Sequence, residues 1–157
     1  MAKFENSIDK ILINEGGYVN DPSDRGGETN FGISKLSYPN VDIKNITVEK
    51  AKEIYKRDYW DKVKGDDIES EHIAYEIFDT AVNMGSRTAS KIAQTVAGVH
   101  PDGFIGAKSL EALNSMNEEL FIASFKLAKI ARYAYIVRTR PANRKFLFGW
   151  INRVLGA

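Results

Sequence analysis

Apolar residues recur three and four positions apart along most of this chain, a period that admits helices and little else. Phe4, Ile8, Ile11 and Leu12 set the first helix, which should stop at Gly16-Gly17. After Thr47, suited to an N-cap, Val48, Ala51, Tyr55 and Tyr59 share one side of a second. The spacing predicts a largely buried central helix over about 71–84, with Ile73/Ala74, Ile77/Phe78 and Ala81/Val82 as its broad apolar stripe. Ala89, Ile92, Ala93 and Val96 mark another, closed by Gly98. A turn at Asp102-Gly103 and a short helix with Leu110 and Leu113 follow. A long helix runs from about 118 to 140 and is ended by Pro141. Phe146, Leu147, Trp150 and Val154 imply a last helix packed back on the body.

One segment breaks the period. Residues 18–35 crowd Asp, Pro, Ser, Gly and Asn together, which predicts turns and a short hairpin. A long irregular stretch inside a compact chain usually carries function. The expected architecture is therefore mainly α, with a short irregular or β segment at about 18–35. With 157 residues, 43% of them hydrophobic, the chain can build one core, and no linker or repeat divides it. Residues 1–157 are read as a single compact domain.

Cysteine is absent, which excludes disulfides and zinc–thiolate sites. His72 and His100 are too few and too far apart to suggest a metal site, and no cofactor is expected. The opening residues lack the apolar stretch of a signal peptide, and nothing reaches the roughly 18 apolar residues of a membrane span. Synthesis in the cytoplasm and no membrane insertion are expected. The net charge is only +1, yet residues 1–79 hold 11 Lys/Arg against 17 Asp/Glu, and residues 80–157 hold 11 against 4. From Lys126 to Arg153 there are eight basic residues and no acids. Such polarity favours an anionic partner at the C-terminal half, with a solvated helix face as the alternative.

The chemistry-bearing residues sit at the break in the period. Glu15 ends the first helix, and two glycines after it leave backbone room for a ligand. The negative end of the helix dipole opposes ionisation of a carboxyl there, a condition for general-acid work near neutral pH. Asp24 follows nine residues later in the turn-rich loop, where solvation keeps it ionised. Two carboxyls in contrasting environments are the working parts of glycoside hydrolysis. Thr29 and Asn30 are small polar groups able to position a water or a sugar hydroxyl. The same residues also suit an ordinary helix end and turn, so spacing alone leaves both readings open.

The run Glu15-Gly-Gly-Tyr-Val-Asn-Asp-Pro-Ser-Asp-Arg-Gly-Gly-Glu-Thr-Asn-Phe-Gly-Ile33 closely resembles the opening signature of glycoside hydrolase family 108, which comprises phage endolysins and related bacterial muramidases. The likeness continues through Tyr55 to Trp60, Asp79-Thr-Ala-Val-Asn-Met-Gly85, Asp102-Gly-Phe-Ile-Gly106 and Gly149-Trp-Ile-Asn-Arg153, and so covers essentially the whole chain. It implies a lysozyme-like helical fold in which the 18–35 segment forms part of the cleft. It implies hydrolysis of the β-1,4 bond between N-acetylmuramic acid and N-acetylglucosamine, with Glu15 as the catalytic acid. Phage lysozymes more widely look similar in having a helix-ending Glu, an Asp nine residues on and a Thr fifteen on. Asp24 fits that spacing, but position 30 is Asn and the threonine comes one residue early, at 29.

On this reading residues 1–88 are the catalytic part. Residues 89–157 form a helical lobe resembling a peptidoglycan-binding region, where Gln94, Asp102-Gly103 and the basic surplus suit a wall polymer. Tyr18, Tyr59 and Trp60 are candidates for stacking on sugar, with core packing as the alternative. Asn83 either faces the cleft or caps its helix, and Asp79 is given no catalytic role. The expected partner is the peptidoglycan glycan strand. The chain would act as a monomer on the wall, released through a separate pore. A non-catalytic wall-binding protein is one rival. A helix-turn-helix over 89–113 is another, disfavoured by a turn longer than the usual three to four residues. Nucleic acid is not expected as a partner. Retention or inversion, and hydrolase or lytic transglycosylase, stay open.

Overall fold

The computed structural model describes residues 1–23 and 25–156. Helix α1 (Phe4–Glu15) buries Phe4, Ser7, Ile8 and Ile11, an i, i+3, i+4, i+7 set that defines one face. No side chain caps its start. Instead the Ala2 amide donates to the Ile68 carbonyl at 2.8 Å, fastening the chain's beginning to the turn ahead of α3 (Glu71–Met84).

The polar segment folds into a small antiparallel sheet of β1 (Val19–Asn20), β2 (Glu28–Asn30) and β3 (Ile33–Ser34), in that order. Asn30 pairs with Ile33, and both point into the core. Thr29, one residue away, takes the other face with Val19 and Ser34 opposite it. Phe31 (φ 51°) and Gly32 (φ 75°) form the connection. Two successive left-handed residues are what a two-residue hairpin matching the strand twist requires. Phe31 is held in this uncommon conformation by Tyr55, whose hydroxyl donates to its carbonyl at 2.7 Å.

Helix α2 (Val48–Tyr55) starts at Thr47, whose hydroxyl accepts from the Lys50 amide at 3.2 Å. A π turn over Lys56–Trp60 and two short 3-10 turns follow it. This departs from the regular helix expected through Tyr59, and it has a consequence for Trp60. On a continued α-helix Trp60 would lie half a turn from Ala51, facing away from the core. The altered winding, with Lys64 left-handed (φ 57°), encloses the indole instead. Trp60 is 0% exposed, packs edge-on against Phe4 and Phe78, and donates to Asp66 at 2.8 Å. Gly65 lies so close to the ring that a β-carbon there would overlap it. Trp60 is thus a core residue, and its expected role in stacking on sugar is corrected.

Helix α3 is the central element, capped by the Ser70 hydroxyl and packed against α1, α4 (Ser86–Val96) and α6 (Glu118–Thr139). Ile73, Ala74, Ile77, Phe78 and Ala81 are its buried stripe, as the periodicity expects. Between α4 and α5 (Ala107–Ser115) the chain turns around Gln94, 1% exposed. Its amide nitrogen donates to Asp102, the Phe104 carbonyl and Ser109, and its oxygen accepts from the Gly103 amide. Buried and hydrogen-bonded through both its nitrogen and its oxygen, Gln94 holds the turn rather than a ligand. Helix α6 stacks Phe121 on Phe125 in the core and ends before Pro141. A 3-10 stretch (Pro141–Phe146) reverses the chain into α7 (Leu147–Leu155), which returns to α6 by stacking Trp150 on Tyr133 at 4.9 Å.

Candidate active site

Glu15 closes α1 where three parts of the chain converge. Its side chain is 21% exposed. On one side stands the β2–β3 turn: a β-carbon on Gly32 would come within 2.8 Å of Glu15 Oε2 and 2.5 Å of the Tyr55 hydroxyl. Only glycine lets the turn approach so closely, and it also accepts the positive φ. On the other side stands α7. Arg153 Nη2 lies 3.4 Å from Glu15 Oε1 and 3.4 Å from Asp79 Oδ1. Asp79, 14% exposed, is reached in turn by the Asn83 amide, which donates to its backbone oxygen at 2.9 Å.

The electrostatics follow from this arrangement. Burial works against the charge of Arg153, but the Asp79 and Glu15 carboxylates outweigh it and hold the guanidinium above its usual range. Beneath the site, burial and the nearby Glu15 and Tyr59 push the Tyr55 hydroxyl far above the usual tyrosine value, so it stays a neutral donor. Sequence reading expected only a helix terminus beside Glu15. The structure adds a cation from 138 residues away.

The other expected site residues divide. Tyr18 is 41% exposed, and its hydroxyl donates to Glu28 at 3.0 Å, so its ring is open to a ligand. Thr29 is partly buried on the sheet face away from the core. Asn30 is 7% exposed, and its amide donates to the Ile43 carbonyl at 3.1 Å. It fastens the hairpin to the segment before α2, which corrects its assignment to substrate. Asn83 is exposed and lines a cavity of about 320 Å³ together with Arg132, Tyr133, Trp150 and Arg153. Asp24 lies outside the described residues. Sequence reading does not single out Arg153 and gives Asp79 no catalytic role, yet the structure brings both beside Glu15. The family-like stretches Asp79–Gly85 and Gly149–Arg153 contain them, but a motif does not tell which way a side chain points.

A small sheet thus lies beside a helix that ends in a carboxylate, with a helical lobe behind them. The model of the family described as Glycosyl hydrolase 108 matches residues 8–85, and that described as Predicted Peptidoglycan domain matches residues 88–155. The solved structure of SagA from Brucella abortus superposes with a TM-score of 0.81 at 34% identity, over 96% of this chain and 88% of that one. The chain belongs to glycosyl hydrolase family 108.

No curated protein gives a match. Family membership makes this a lysozyme-like fold and a glycoside hydrolase that acts on peptidoglycan. The matched segments meet between residues 85 and 88, at the α3–α4 corner, yet Phe78 before it and Phe121 and Phe125 after it share one hydrophobic cluster. Among the described residues no helix is long and apolar enough to cross a membrane.

Proposed function

We propose that this family 108 hydrolase is a muramidase that cuts the β-1,4 bond between N-acetylmuramic acid and N-acetylglucosamine, with Glu15 as the general acid. The observation that carries the reading is the setting of Glu15: a mostly enclosed carboxyl at a helix end, pressed by the Gly32 turn and anchored by Arg153. Once the entering glycan has displaced the Arg153 guanidinium, which favours the carboxylate, Glu15 in its protonated form gives its proton to the glycosidic oxygen of the leaving sugar. Asp24 is the proposed second carboxylate, stabilising the oxocarbenium-like charge or steering a water. Thr29, on the sheet face away from the core, assists it. Tyr18 offers an open ring for a sugar face. Arg153 holds Glu15 in one rotamer through a long contact that an entering glycan can displace.

The test is digestion of purified peptidoglycan by the wild type and by Glu15→Gln, followed through new reducing ends. Glutamine keeps the shape but carries no proton to give, so turnover should fall by at least about 10²–10⁴-fold. Equal rates would remove Glu15 from the mechanism. The reducing sugar released identifies the bond, and an anhydro end in place of a reducing end would make the enzyme a lytic transglycosylase. If neither protein cuts any wall preparation, the chain binds peptidoglycan without cleaving it.

A further inference from the structure

Beyond Arg153 the surface is neither flat nor neutral. The cavity of about 320 Å³ beside the site adjoins a second of about 330 Å³, and Arg132 and Ile136 line both. The second ends at Thr139 and Arg140. Together they form a furrow along the outer half of α6 that begins at the arginine touching Glu15. One wall is aromatic: Trp150 stacks on Tyr133 at 4.9 Å, and both line the first cavity. Its charge has one sign, since no acidic residue occurs after Glu119. Arg153 is already engaged by Glu15 and Asp79, whereas Arg132 and Arg140 enter none of the ion pairs among the described residues.

We propose that this furrow is a subsite for the carboxylate-bearing peptide substituents of the glycan, with Arg132 and Arg140 binding the carboxylates. The inference rests on peptidoglycan being the substrate and adds which part of it the C-terminal half reads. The dimensions agree. Arg132 lies on α6 and Arg140 directly follows its last residue, which puts the two about 12 Å apart at 1.5 Å per residue. An extended peptide covers that distance in about four residues at roughly 3.3 Å each. Guanidinium groups bind carboxylates with two parallel hydrogen bonds, and the aromatic wall accepts the apolar stems between them. A peptide leaving the sugar next to the scissile bond would enter the furrow at its Arg153 end.

The experiment measures binding in the Glu15→Gln background, so that it does not depend on cleavage. Sedimentation is run with three preparations: native peptidoglycan, the same wall with its carboxyls converted to methylamides, and glycan stripped of peptide by an amidase. The parent should bind native wall at least tenfold more tightly than methylamidated wall. Arg132→Gln and Arg140→Gln should each weaken binding to native wall by roughly tenfold, the worth of one charge-assisted hydrogen bond on a partly open surface, and together should abolish the preference. Both side chains are exposed, so the variants should keep the parent's circular dichroism and melting temperature. A double variant that retains the preference, or that loses native and methylamidated wall equally, overturns the proposal. Stripped glycan keeps one carboxylate on the lactyl ether, so an undiminished arginine effect there would also overturn the peptide assignment. Absence of cleavage by the wild type would leave this result standing. Cleavage that survives Glu15→Gln would sink the acid assignment and not the furrow.

Discussion

Gly32→Ala tests whether the hairpin turn positions the acid. The added β-carbon would sit 2.5 Å from the Tyr55 hydroxyl, 2.8 Å from Glu15 Oε2 and 2.9 Å from Glu15 Cβ, where ordinary contact begins near 3.4 Å. The turn and these groups must therefore separate by roughly 0.5–0.9 Å. A side chain at φ 75° costs about 1–2 kcal/mol in its own right. Overpacking adds about 1–3 kcal/mol, so a loss of about 2–5 kcal/mol in unfolding free energy is expected from urea titration. The functional effect should be larger than the stability loss implies. A displacement near 1 Å at a reacting group costs on the order of 10²-fold in rate, and kcat for reducing-end release should fall by about that factor at temperatures where the variant is fully folded. Gly149→Ala is the contrast: it lies inside α7 with nothing within 4 Å of its β-carbon and should raise stability by about 0.5–1 kcal/mol. If Gly32→Ala keeps kcat within twofold of wild type while remaining folded, the turn does not position Glu15 and the close-approach argument is wrong.

Three further predictions concern the surroundings. Trp60→Ala should cost about 3–5 kcal/mol in denaturant unfolding, since the indole is fully buried, with KM unchanged for the folded fraction; a raised KM at full stability would restore the sugar-stacking role. Arg153→Gln should lower kcat/KM by about tenfold by freeing Glu15. It should destabilise the fold by only about 1 kcal/mol, because the guanidinium is 43% exposed and solvent screens it; unaltered kinetics would reduce the contact to a surface pair. The Asp58 carboxyl is held below its usual range chiefly by Arg57, whose Nε and Nη2 donate at 2.6 Å, with Tyr38 assisting and burial opposing. A depressed folded pKa means that the stability Asp58 contributes is complete above the ordinary aspartate value of about 3.9 and is lost as pH falls through the folded value. Asp58→Asn should therefore flatten part of the acid limb in urea midpoints measured between pH 7 and pH 2, and an unchanged limb would contradict that assignment.

Helix α3, the capped start of α2 at Thr47 and the end of α6 before Pro141 were legible in the chain because side-chain spacing, caps and proline act within a few residues. So was the hairpin, since turn residues express their φ preferences locally. The lysozyme-like resemblance and the choice of Glu15 as the acid rested on a contiguous motif, which position in the chain displays directly. Trp60 and Asn30 were harder. Each has a polar or aromatic side chain that serves equally well in a cleft or in a core, and the winding around it decides which. The π turn and the close fit of Gly65 put the indole inside, and the Ile43 carbonyl claims the Asn30 amide. Arg153 was beyond local reading altogether. Its contact with Glu15 spans 138 residues and exists because α6 reverses through Pro141–Phe146 and lays α7 against the end of α1. Sequence alone determined the helices, the turn-rich break and the carboxylate at its edge, because those preferences are short-range. Tertiary packing decided what surrounds that carboxylate, because a site assembled from α1, the β2–β3 turn and α7 has no expression in the spacing of any one of them.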